Sequence, residues 1–471
     1  MGHNGVMDQK NVITWLPQTL MLIGGIGVAM LVMHDNAGAD LTLRGPIPGN
    51  QVAGDNQVAE EQPARSQWLQ FEGVPSELDG SWPRFRGAQF DAISHERIEL
   101  LRQWPEQGPE RLWSIDLGQG YAGAAVHNGR VFVVDYDQEQ KGDAIRCFSL
   151  DDGREIWRYF YPVRIKRQHG MSRTVPTVTD EALVCLGPKC HLTCVDPNTG
   201  ALRWQIDLVQ DFGAKVPPWY AGQCPIVEDH RAILAVGGND VLIMAVDLDN
   251  GSILWKTPNP DHWTMTHSSL MPMRVADRDM YVYCAGKGVV GIDASDGTVL
   301  WTYPDWFINI ANVPSPVPLA DGRVFLSGGY NAGAIMLRIR QQAHGHFVAE
   351  PDYRLTSGVF GAEQHTPILY EGDLYGVRPD RQLVCLDPDG QVLWTSTKTF
   401  GIGPFMIAGG LIYVLDDDGL LTLAEATPDG YHELAEARIL EGPDAWGPMA
   451  MADGRLILRD LNRMVCLNVR Q

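Results

Sequence analysis

The chain has 471 residues, of which 37 are basic and 58 acidic, so its formal net charge is −21. This acidic balance argues against nucleic acid as a partner, because phosphate backbones need clustered Lys and Arg, and against docking on an anionic lipid surface. A hydrophobic content of 45% with 20% charged residues is typical of a folded protein with a sizeable core. The 50 Gly and 14 Trp residues favour a repeated structure.

The first predicted element is an apolar segment without charged side chains, residues 11–33. Its 23 residues suffice to cross a bilayer as a helix, whereas its core, residues 20–33, has the length of a signal-peptide apolar region. A small-residue cleavage site follows in residues 37–39. We therefore interpret residues 1–39 as a transmembrane anchor or a signal peptide. A buried helix of a cytoplasmic protein is the third interpretation. Both leading interpretations place the rest of the chain outside the cytoplasm, on the periplasmic side.

Residues 40–80 are polar, acidic and rich in Gly, Pro, Gln and Glu, and no apolar period runs through them. Such a composition predicts a disordered acidic linker that holds the rest of the chain away from a membrane. We expect an N-terminal arm over residues 81–108 and a single repeat domain over residues 109–471.

An internal repeat predicts the architecture of that domain. Five segments share the frame small-x-Asp-x-x-x-Gly-x-x-x-Trp, except that the first has Ser149 in place of Asp and the last has a turn one residue shorter. An alternating apolar run, a turn and a second strand that carries Trp predict a β-hairpin. Gly permits the positive φ of the turn, and the small residue leaves room for the indole ring. The paired residues are Gly153 and Trp157, Gly200 and Trp204, Gly251 and Trp255, Gly297 and Trp301, and Gly390 and Trp394.

The spacing of these Trp residues is typical of four-stranded propeller blades. One further blade, near residues 324–350, has lost the frame. Trp113 lies one interval before the first repeat, so an N-terminal strand is predicted to complete the last blade and remove an exposed sheet edge. The fold class is all-β, an eight-bladed β-propeller with an N-terminal hydrophobic helix, and seven blades are the alternative. Inner strands are expected to begin near Gly123, Val175, Cys224, Leu270, Ser315, Thr366, Pro404 and Gly447.

The frame resembles the tryptophan-docking repeat of eight-bladed quinoprotein-like propellers. These include the pyrroloquinoline quinone (PQQ) dehydrogenases of the quinoprotein alcohol dehydrogenase-like superfamily and non-enzymatic outer-membrane assembly lipoproteins. The segment SWPRFRGAQFDAIS, residues 81–94, is similar to the W-P-x-F-R-G opening of bacterial PQQ-repeat proteins, which often follows a signal or anchor helix. The resemblance covers residues 81–471 and implies the fold, but it does not imply one activity, because this fold serves both enzymes and scaffolds.

The resemblance implies PQQ with calcium as the cofactor if the protein is an enzyme. Dehydrogenases of this kind typically use a vicinal cysteine disulfide, a calcium site of carboxylate and amide oxygens, and a catalytic Asp. This chain has no adjacent Cys pair and no C-x-x-C-H haem site, which weakens the enzymatic interpretation. Its acidic turns lack EF-hand spacing, so no metal site is predicted from them. No catalytic residue is assigned. Most of the eight Cys residues occupy small-residue positions of the repeat.

The loops that lead into the inner strands are aromatic and polar, and they line one mouth of a propeller. A basic cluster that faces aromatic side chains in an acidic protein predicts a site for an anionic or sugar-like ligand, and ordinary loop packing is the alternative. For a PQQ enzyme, the plausible cofactor contacts are Arg173, His267 and His365. The candidate cofactor- or ligand-binding residues are Arg173, Trp219, His267, Asn312, His365 and Trp446.

The leading functional hypothesis is an extracytoplasmic propeller, membrane-tethered or secreted, that acts as a protein-interaction scaffold or a ligand-binding module. Its expected partners are envelope or membrane proteins, with contact to the membrane itself through the N-terminal helix if that helix is not cleaved. The alternative is a PQQ-dependent dehydrogenase that oxidises an alcohol or a sugar at a divergent cofactor site.

Overall fold

A computed structural model describes residues 65–471 except residues 167, 168 and 309. The predicted N-terminal helix and most of the predicted linker lie outside the described residues. Within the described part, no helix has the length and apolar character that a membrane crossing requires.

Eight antiparallel sheets form the domain, which confirms the eight-bladed propeller and shows that the seven-bladed alternative is wrong. The strands are β1 (Gln67–Gln70), β2 (Ile93–Ser94), β3 (Glu110–Asp116), β4 (Ala125–His127), β5 (Arg130–Asp137), β6 (Gly142–Ser149), β7 (Glu155–Pro162), β8 (Thr177–Val178), β9 (Leu183–Leu186), β10 (His191–Val195), β11 (Leu202–Asp207), β12 (Ile226–Glu228), β13 (Arg231–Ala235), β14 (Val241–Asp247), β15 (Ile253–Pro258), β16 (Met271–Val275), β17 (Arg278–Ala285), β18 (Gly288–Asp293), β19 (Val299–Tyr303), β20 (Val317–Pro318), β21 (Arg323–Gly328), β22 (Gly333–Gln341), β23 (Phe347–Leu355), β24 (Ile368–Tyr370), β25 (Asp373–Val377), β26 (Gln382–Leu386), β27 (Val392–Thr399), β28 (Phe405–Ala408), β29 (Leu411–Leu415), β30 (Leu420–Glu425), β31 (Glu433–Arg438), β32 (Ala450–Ala452), β33 (Arg455–Arg459) and β34 (Arg463–Asn468).

Each blade uses four strands that run outward from the channel in chain order. Blade 1 is β4 to β7, blade 2 is β8 to β11, and the series continues to blade 7, β28 to β31. Blade 8 is β32 to β34 with β3 as its outer strand, in which Trp113 lies opposite Cys466. One short helix, α1 (Leu208–Phe212), follows blade 2, and the side chain of Asp207 caps its N-terminus.

The repeat motif joins neighbouring blades. The indole of Trp157 packs on Gly200 of the next blade, where an added Cβ would lie 2.4 Å from the ring and the glycine has φ +73°. The Trp157 indole N–H also donates to the carbonyl of Pro197 at 3.2 Å. Within its own blade, Trp157 lies opposite Cys147, which confirms the small-residue position of the frame. The same packing on the next blade joins Trp113 to Gly153, Trp204 to Gly251, and Trp255 to Gly297.

Blade 5, which lacks the frame, keeps this contact with a different side chain. Tyr353 of β23 lies opposite Met336 in the register of the sheet. An added Cβ on Gly390 of blade 6 would lie 2.7 Å from the Tyr353 ring. The Tyr353 hydroxyl donates to the carbonyl of Pro388 at 3.2 Å. Tyrosine therefore takes the place of tryptophan at this one junction.

A belt of hydrogen bonds links the inner strands of blades 2 to 6. The backbone N–H at one position of each blade donates to the side chain at the equivalent position of the next. The belt gives a structural role to Cys224, which has none in the repeat frame. The bonds run from Val175 to Cys224 Sγ (3.2 Å), from Cys224 to Ser269 Oγ (2.9 Å), from Ser269 to Ser315 Oγ (3.0 Å), and from Ser315 to Thr366 Oγ1 (2.9 Å).

The predicted linker ends earlier than expected. Residues 65–80 lie along blade 1, where β1 pairs antiparallel with β7 as a fifth strand, so the prediction of a disordered linker up to residue 80 is wrong for this part. The backbone continues this pairing through Phe71, whose N–H donates to the carbonyl of Ile156. All four residues of β1 are exposed, and its stabilisation comes from main-chain hydrogen bonds to the blade edge rather than from an apolar pattern.

The N-terminal arm closes one end of the central channel. Trp82 bridges to Val126 of blade 1, and β2 adds a parallel strand to the inner edge of blade 7. The guanidinium of Arg86, 6% exposed, donates to the carbonyls of Thr366 (3.1 Å) and Pro367 (3.0 Å). We call this end the closed mouth. The opposite end, where the loops leading into the inner strands lie, is the open mouth.

Candidate functional site

A cavity of about 320 Å³ occupies the channel at the open mouth. Its walls are the loops that lead into the inner strands, and its inner end is formed by Trp82, Phe85 and Arg86 of the arm. Five of the six candidate site residues line it: Arg173, Trp219, His267, His365 and Trp446.

Arg173 supplies the cation of the cavity wall. Its guanidinium donates to the carbonyl of Gly170 at 3.1 Å and to the carbonyl of Trp219, and it lies 4.9 Å from the centre of the Tyr121 ring. Burial lowers the pKa of Arg173 to about 10, and the Tyr121 hydroxyl opposes this shift. The side chain therefore stays positively charged at neutral pH, in a place with little water to screen it.

Aromatic side chains form the rim beside this cation. The rings of Tyr121 and Trp446 lie 5.0 Å apart. The Tyr121 hydroxyl donates to Asp444 at 3.1 Å, and the Trp446 indole N–H donates to Asp417 at 2.8 Å. Burial and the carboxylate of Asp444 raise the pKa of Tyr121 to about 12. Both rings are thus held in place by polar contacts, and the Tyr121 ring lies between the Arg173 guanidinium and the Trp446 ring.

Two histidines in the wall are uncharged. Burial and the nearby Arg173 lower the pKa of His267 to about 4, and its ring lies 6.4 Å from that of Trp219. Burial and Arg86 lower the pKa of His365 to about 4. The Nε2 atom of His365 is buried without a hydrogen-bond partner among the described residues. At neutral pH the partnerless Nε2 atom of His365 can form a hydrogen bond with a ligand without adding charge.

Asn312 lies behind the wall, although its neighbours Ala311 and Val313 line the cavity. It is 4% exposed, and its backbone carbonyl accepts hydrogen bonds from the N–H groups of His267 (3.1 Å) and Ser268 (3.0 Å). The side-chain amide of Asn312 is buried without a hydrogen-bond partner among the described residues, and its contact with a ligand stays a prediction. The backbone of Asn312 holds the loop that positions His267.

The residues present do not fit a calcium–PQQ centre. Calcium takes six to eight oxygen ligands, usually with several carboxylates. Glu363 is the one acidic residue among the described lining residues, and its carboxylate is held by Arg381 at 2.8 Å. In the described part of the chain, no cluster of three or more His, Cys, Asp or Glu side chains has the geometry to hold a metal ion. All eight Cys residues are buried and free.

The sequence reasoning missed the arm residues as part of the site. Trp82, Phe85 and Arg86 belong to the W-P-x-F-R segment, which the sequence marks only through a family resemblance. The available signal is its composition. Two aromatic rings and two arginines within five residues, outside any hairpin frame, are more typical of a buried contact than of a solvated arm.

Comparisons with known proteins agree with this architecture. Residues 140–396, more than half of the chain, match the family model described as outer membrane protein assembly factor BamB. A search of curated protein sequences gives no significant match. BamB from Moraxella catarrhalis has a TM-score of 0.54 and 14% identity, over 76% of this chain and 100% of that one.

Two further solved structures share the fold. A europium-containing methanol dehydrogenase has a TM-score of 0.60 and 12% identity, over 80% of this chain and 89% of that one. The computationally designed Ika8 protein has a TM-score of 0.51 and 12% identity, over 76% of this chain and 100% of that one. Identities this low show the fold alone, whereas the family model covers most of the repeat. The chain therefore belongs to the PQQ-repeat propeller family described by the outer membrane protein assembly factor BamB.

Proposed function

We propose that the protein is an extracytoplasmic propeller scaffold that binds a small anionic ligand in its central cavity and contacts proteins of the cell envelope. The apolar segment of residues 11–33 either anchors it in a membrane or directs its secretion before cleavage. Membership of a family described as an outer membrane protein assembly factor supports the scaffold. Because the fold serves binding as well as catalysis, the two functions are distinguished by the residues of the site.

The composition of the cavity wall favours binding over catalysis. Arg173 supplies a buried cation, and the aromatic rim supplies flat apolar surfaces. With pKa values of about 4, His267 and His365 are weak bases at neutral pH. The carboxylate of Glu363 is occupied by Arg381. These groups suit recognition of an anion with a flat apolar body better than removal of a proton from a substrate.

Ligand binding can be tested with aromatic carboxylates as probes in a thermal-shift assay of the full chain. A ligand at about 100 times its Kd stabilises the folded state by about 2.7 kcal/mol. We expect Arg173→Gln to abolish this stabilisation, because the buried cation is lost. The matched control is Arg97→Gln, an exposed arginine at the closed mouth. Equal stabilisation of the parent and Arg173→Gln would contradict the proposed site.

The scaffold can be tested by site-specific photo-crosslinking in cells. We expect a crosslinking residue in place of Phe307, at the open mouth, to give a discrete adduct with an envelope protein. The same residue in place of Arg97, at the closed mouth, serves as the control. Identical products at both positions, or none at either, would argue against a specific interaction surface.

The second candidate is a PQQ-dependent dehydrogenase, and the central position of the cavity is the observation in its favour. Because the donor set does not fit calcium with PQQ, no reaction step is assigned to these residues. The full chain can be incubated with PQQ and Ca²⁺ or Eu³⁺, followed by dye reduction with alcohols and sugars. Stabilisation together with dye reduction would establish the enzyme and overturn the purely binding function.

A further inference from the structure

We infer that the ligand of the central cavity is a small arenecarboxylate, one aromatic ring with a carboxylate at one end and a neutral hydroxyl or amino group at the other. The carboxylate binds Arg173 and the hydroxyl or amino group donates to Glu363, on opposite walls of the channel. The inference rests on the anion-binding part of the proposed function and deepens it, because a second recognition group defines the class of ligand.

Arg173 and Glu363 lie on opposite sides of the channel. Arg173 is in the loop that leads into β8, the inner strand of blade 2, and Glu363 is in the loop that leads into β24, the inner strand of blade 6. Neighbouring blades follow one another in chain order, so these two blades are four positions apart in a ring of eight. Both residues line the cavity. A ligand that contacts both therefore spans the channel.

The guanidinium of Arg173 has donors available for an anion. Its Nε atom donates to the carbonyl of Trp219 and its Nη2 atom to the carbonyl of Gly170. Its Nη1 atom has no acceptor among the described residues and is not buried. Asp444, the acid beside this wall, accepts a hydrogen bond from the Tyr121 hydroxyl and forms no ion pair with the guanidinium. A ligand carboxylate can therefore bind here through charge-assisted hydrogen bonds.

Glu363 supplies an acceptor on the opposite wall. Its side chain packs beside Gly329 of blade 5, where an added Cβ would lie 3.1 Å from the Cγ atom of Glu363. The Oε2 atom of Glu363 accepts from Arg381 at 2.8 Å, whereas its Oε1 atom accepts no hydrogen bond from the described residues and is not buried. The arginine offsets the charge of the carboxylate but leaves this oxygen free. This end of the cavity therefore suits a hydrogen-bond donor.

The charges around this second end favour a neutral donor over a cation. Arg381 is paired with Glu363, and Arg86 at the inner end of the cavity is the second cation on this side. The carboxylate of Asp91 lies near Arg86 and contacts His95 at 2.7 Å. The two arginines and the two carboxylates balance, so an ammonium group would find no net negative charge to stabilise it. A phenolic hydroxyl or an aromatic amine, which is uncharged at neutral pH, fits this end better.

The space between the two ends fits one aromatic ring. The cavity volume of about 320 Å³ lies at the lower end of the range of roughly 300–1,000 Å³ that small-molecule sites occupy. The blades that lie between the two ends contribute Trp219, Phe405 and Trp446 to the wall. Such side chains favour a flat apolar body. A para-substituted benzoate carries its two polar groups at opposite ends of the ring, in the same arrangement as Arg173 and Glu363.

The inference can be tested by isothermal titration calorimetry of the full chain with four benzoates. The first two, 4-hydroxybenzoate and 4-aminobenzoate, carry the donor, 4-methylbenzoate has nearly the same shape without it, and 2-hydroxybenzoate has the donor beside the carboxylate. We expect the first two to bind about tenfold more tightly than the other two, because only they can form a hydrogen bond with a charged acceptor on the opposite wall. If they bind no more tightly than 4-methylbenzoate or 2-hydroxybenzoate, the inference is overturned.

The variant Glu363→Met isolates the acceptor. We expect it to lower the affinity for 4-hydroxybenzoate by about tenfold and to leave the affinity for 4-methylbenzoate unchanged, which also shows that the cavity is intact. The matched control is Glu371→Met, an exposed glutamate at the closed mouth of the same blade, and it should keep the preference for the para hydroxyl. A preference that Glu363→Met retains overturns the inference.

Failure of the proposed function gives a different result. If none of the benzoates binds, or if Arg173→Gln binds them as tightly as the parent does, the anion site itself is contradicted and the inference falls with it. If all four bind with equal Kd and Arg173→Gln abolishes their binding, the anion site stands and the ligand class is wrong. Binding of PQQ without binding of 4-hydroxybenzoate would also overturn the ligand class, and it would favour the dehydrogenase.

Discussion

Replacement of Asp143 by Asn tests how the blade 1–blade 2 junction responds to pH. Asp143 lies at the start of β6 and is fully buried. Its Oδ2 atom is 2.6 Å from the position that a Cβ on Gly187 of blade 2 would take, next to the hydroxyl of Tyr161. Burial raises the pKa of Asp143 to about 8, and the nearby Tyr161 hydroxyl opposes the shift.

The direction in which the free energy of unfolding changes with pH follows from the number of protons that folding takes up. In the unfolded chain the Asp143 carboxyl has its ordinary pKa of 3.8, so at neutral pH folding must take up a proton. Below pH 3.8 the Asp143 carboxyl is protonated in both states, so proton uptake imposes no free-energy penalty on folding. The penalty then grows by about 1.4 kcal/mol for each pH unit up to pH 8. At pH 7 it amounts to about 4 kcal/mol, which Asn, being neutral at every pH, does not incur.

The assay is urea unfolding of the parent and Asp143→Asn between pH 5 and pH 8. The free energy of unfolding of the parent should fall as the pH rises, whereas that of the variant should fall much less and be higher at pH 7. Asp152→Asn, at an exposed turn carboxylate of the same blade, is the control and should follow the parent. Parallel pH profiles for the parent and Asp143→Asn would refute the reasoning.

The other predictions concern the contacts between blades and the arm. Gly200→Ala should destabilise the fold by about 1–3 kcal/mol in urea unfolding, because its Cβ would overlap Trp157; the control Gly372→Ala has an open site with φ +99°, so only backbone strain remains. Arg86→Met should speed proteolysis within residues 81–94, since two buried carbonyls lose their donors, and an unchanged cleavage rate would show that the arm is held in other ways. Ser315→Ala removes one acceptor of the belt and should lower the free energy of unfolding by about 1–3 kcal/mol; a neutral effect would show that water replaces it.

The blade architecture could be predicted because each repeat is a local pattern that acts on its neighbour. A hairpin turn with Gly and a Trp at a fixed distance specifies both a blade and its contact with the next one. Blade 5 could not be predicted from this pattern, because Tyr353 performs the same packing with a smaller ring in an altered frame. Strand β1 could not be predicted because its four exposed residues have no apolar alternation. It forms by pairing with the free edge of β7, which the local sequence does not reveal.

The site could be predicted in part. Loops that lead into inner strands line a mouth in any propeller, so five of the six candidates reach the cavity. Asn312 lies behind the wall because loop position does not determine which side of the backbone a side chain takes, and its backbone carbonyl accepts hydrogen bonds from the N–H groups of His267 and Ser268. The inner end of the cavity could not be predicted, because it depends on hydrogen bonds from Arg86 to Thr366 and Pro367, which are far away in sequence.

The pairing of β3 with β34 sets a condition on how the protein is made. Strand β3 precedes strands β4 to β7 of blade 1, and its partner is β34 of the last blade. During synthesis, the edge of β3 therefore remains unpaired until all of the intervening blades have been made. The ring can lock only after β34 emerges, so a product cut short before this strand keeps an open edge that chaperones or proteases can recognise.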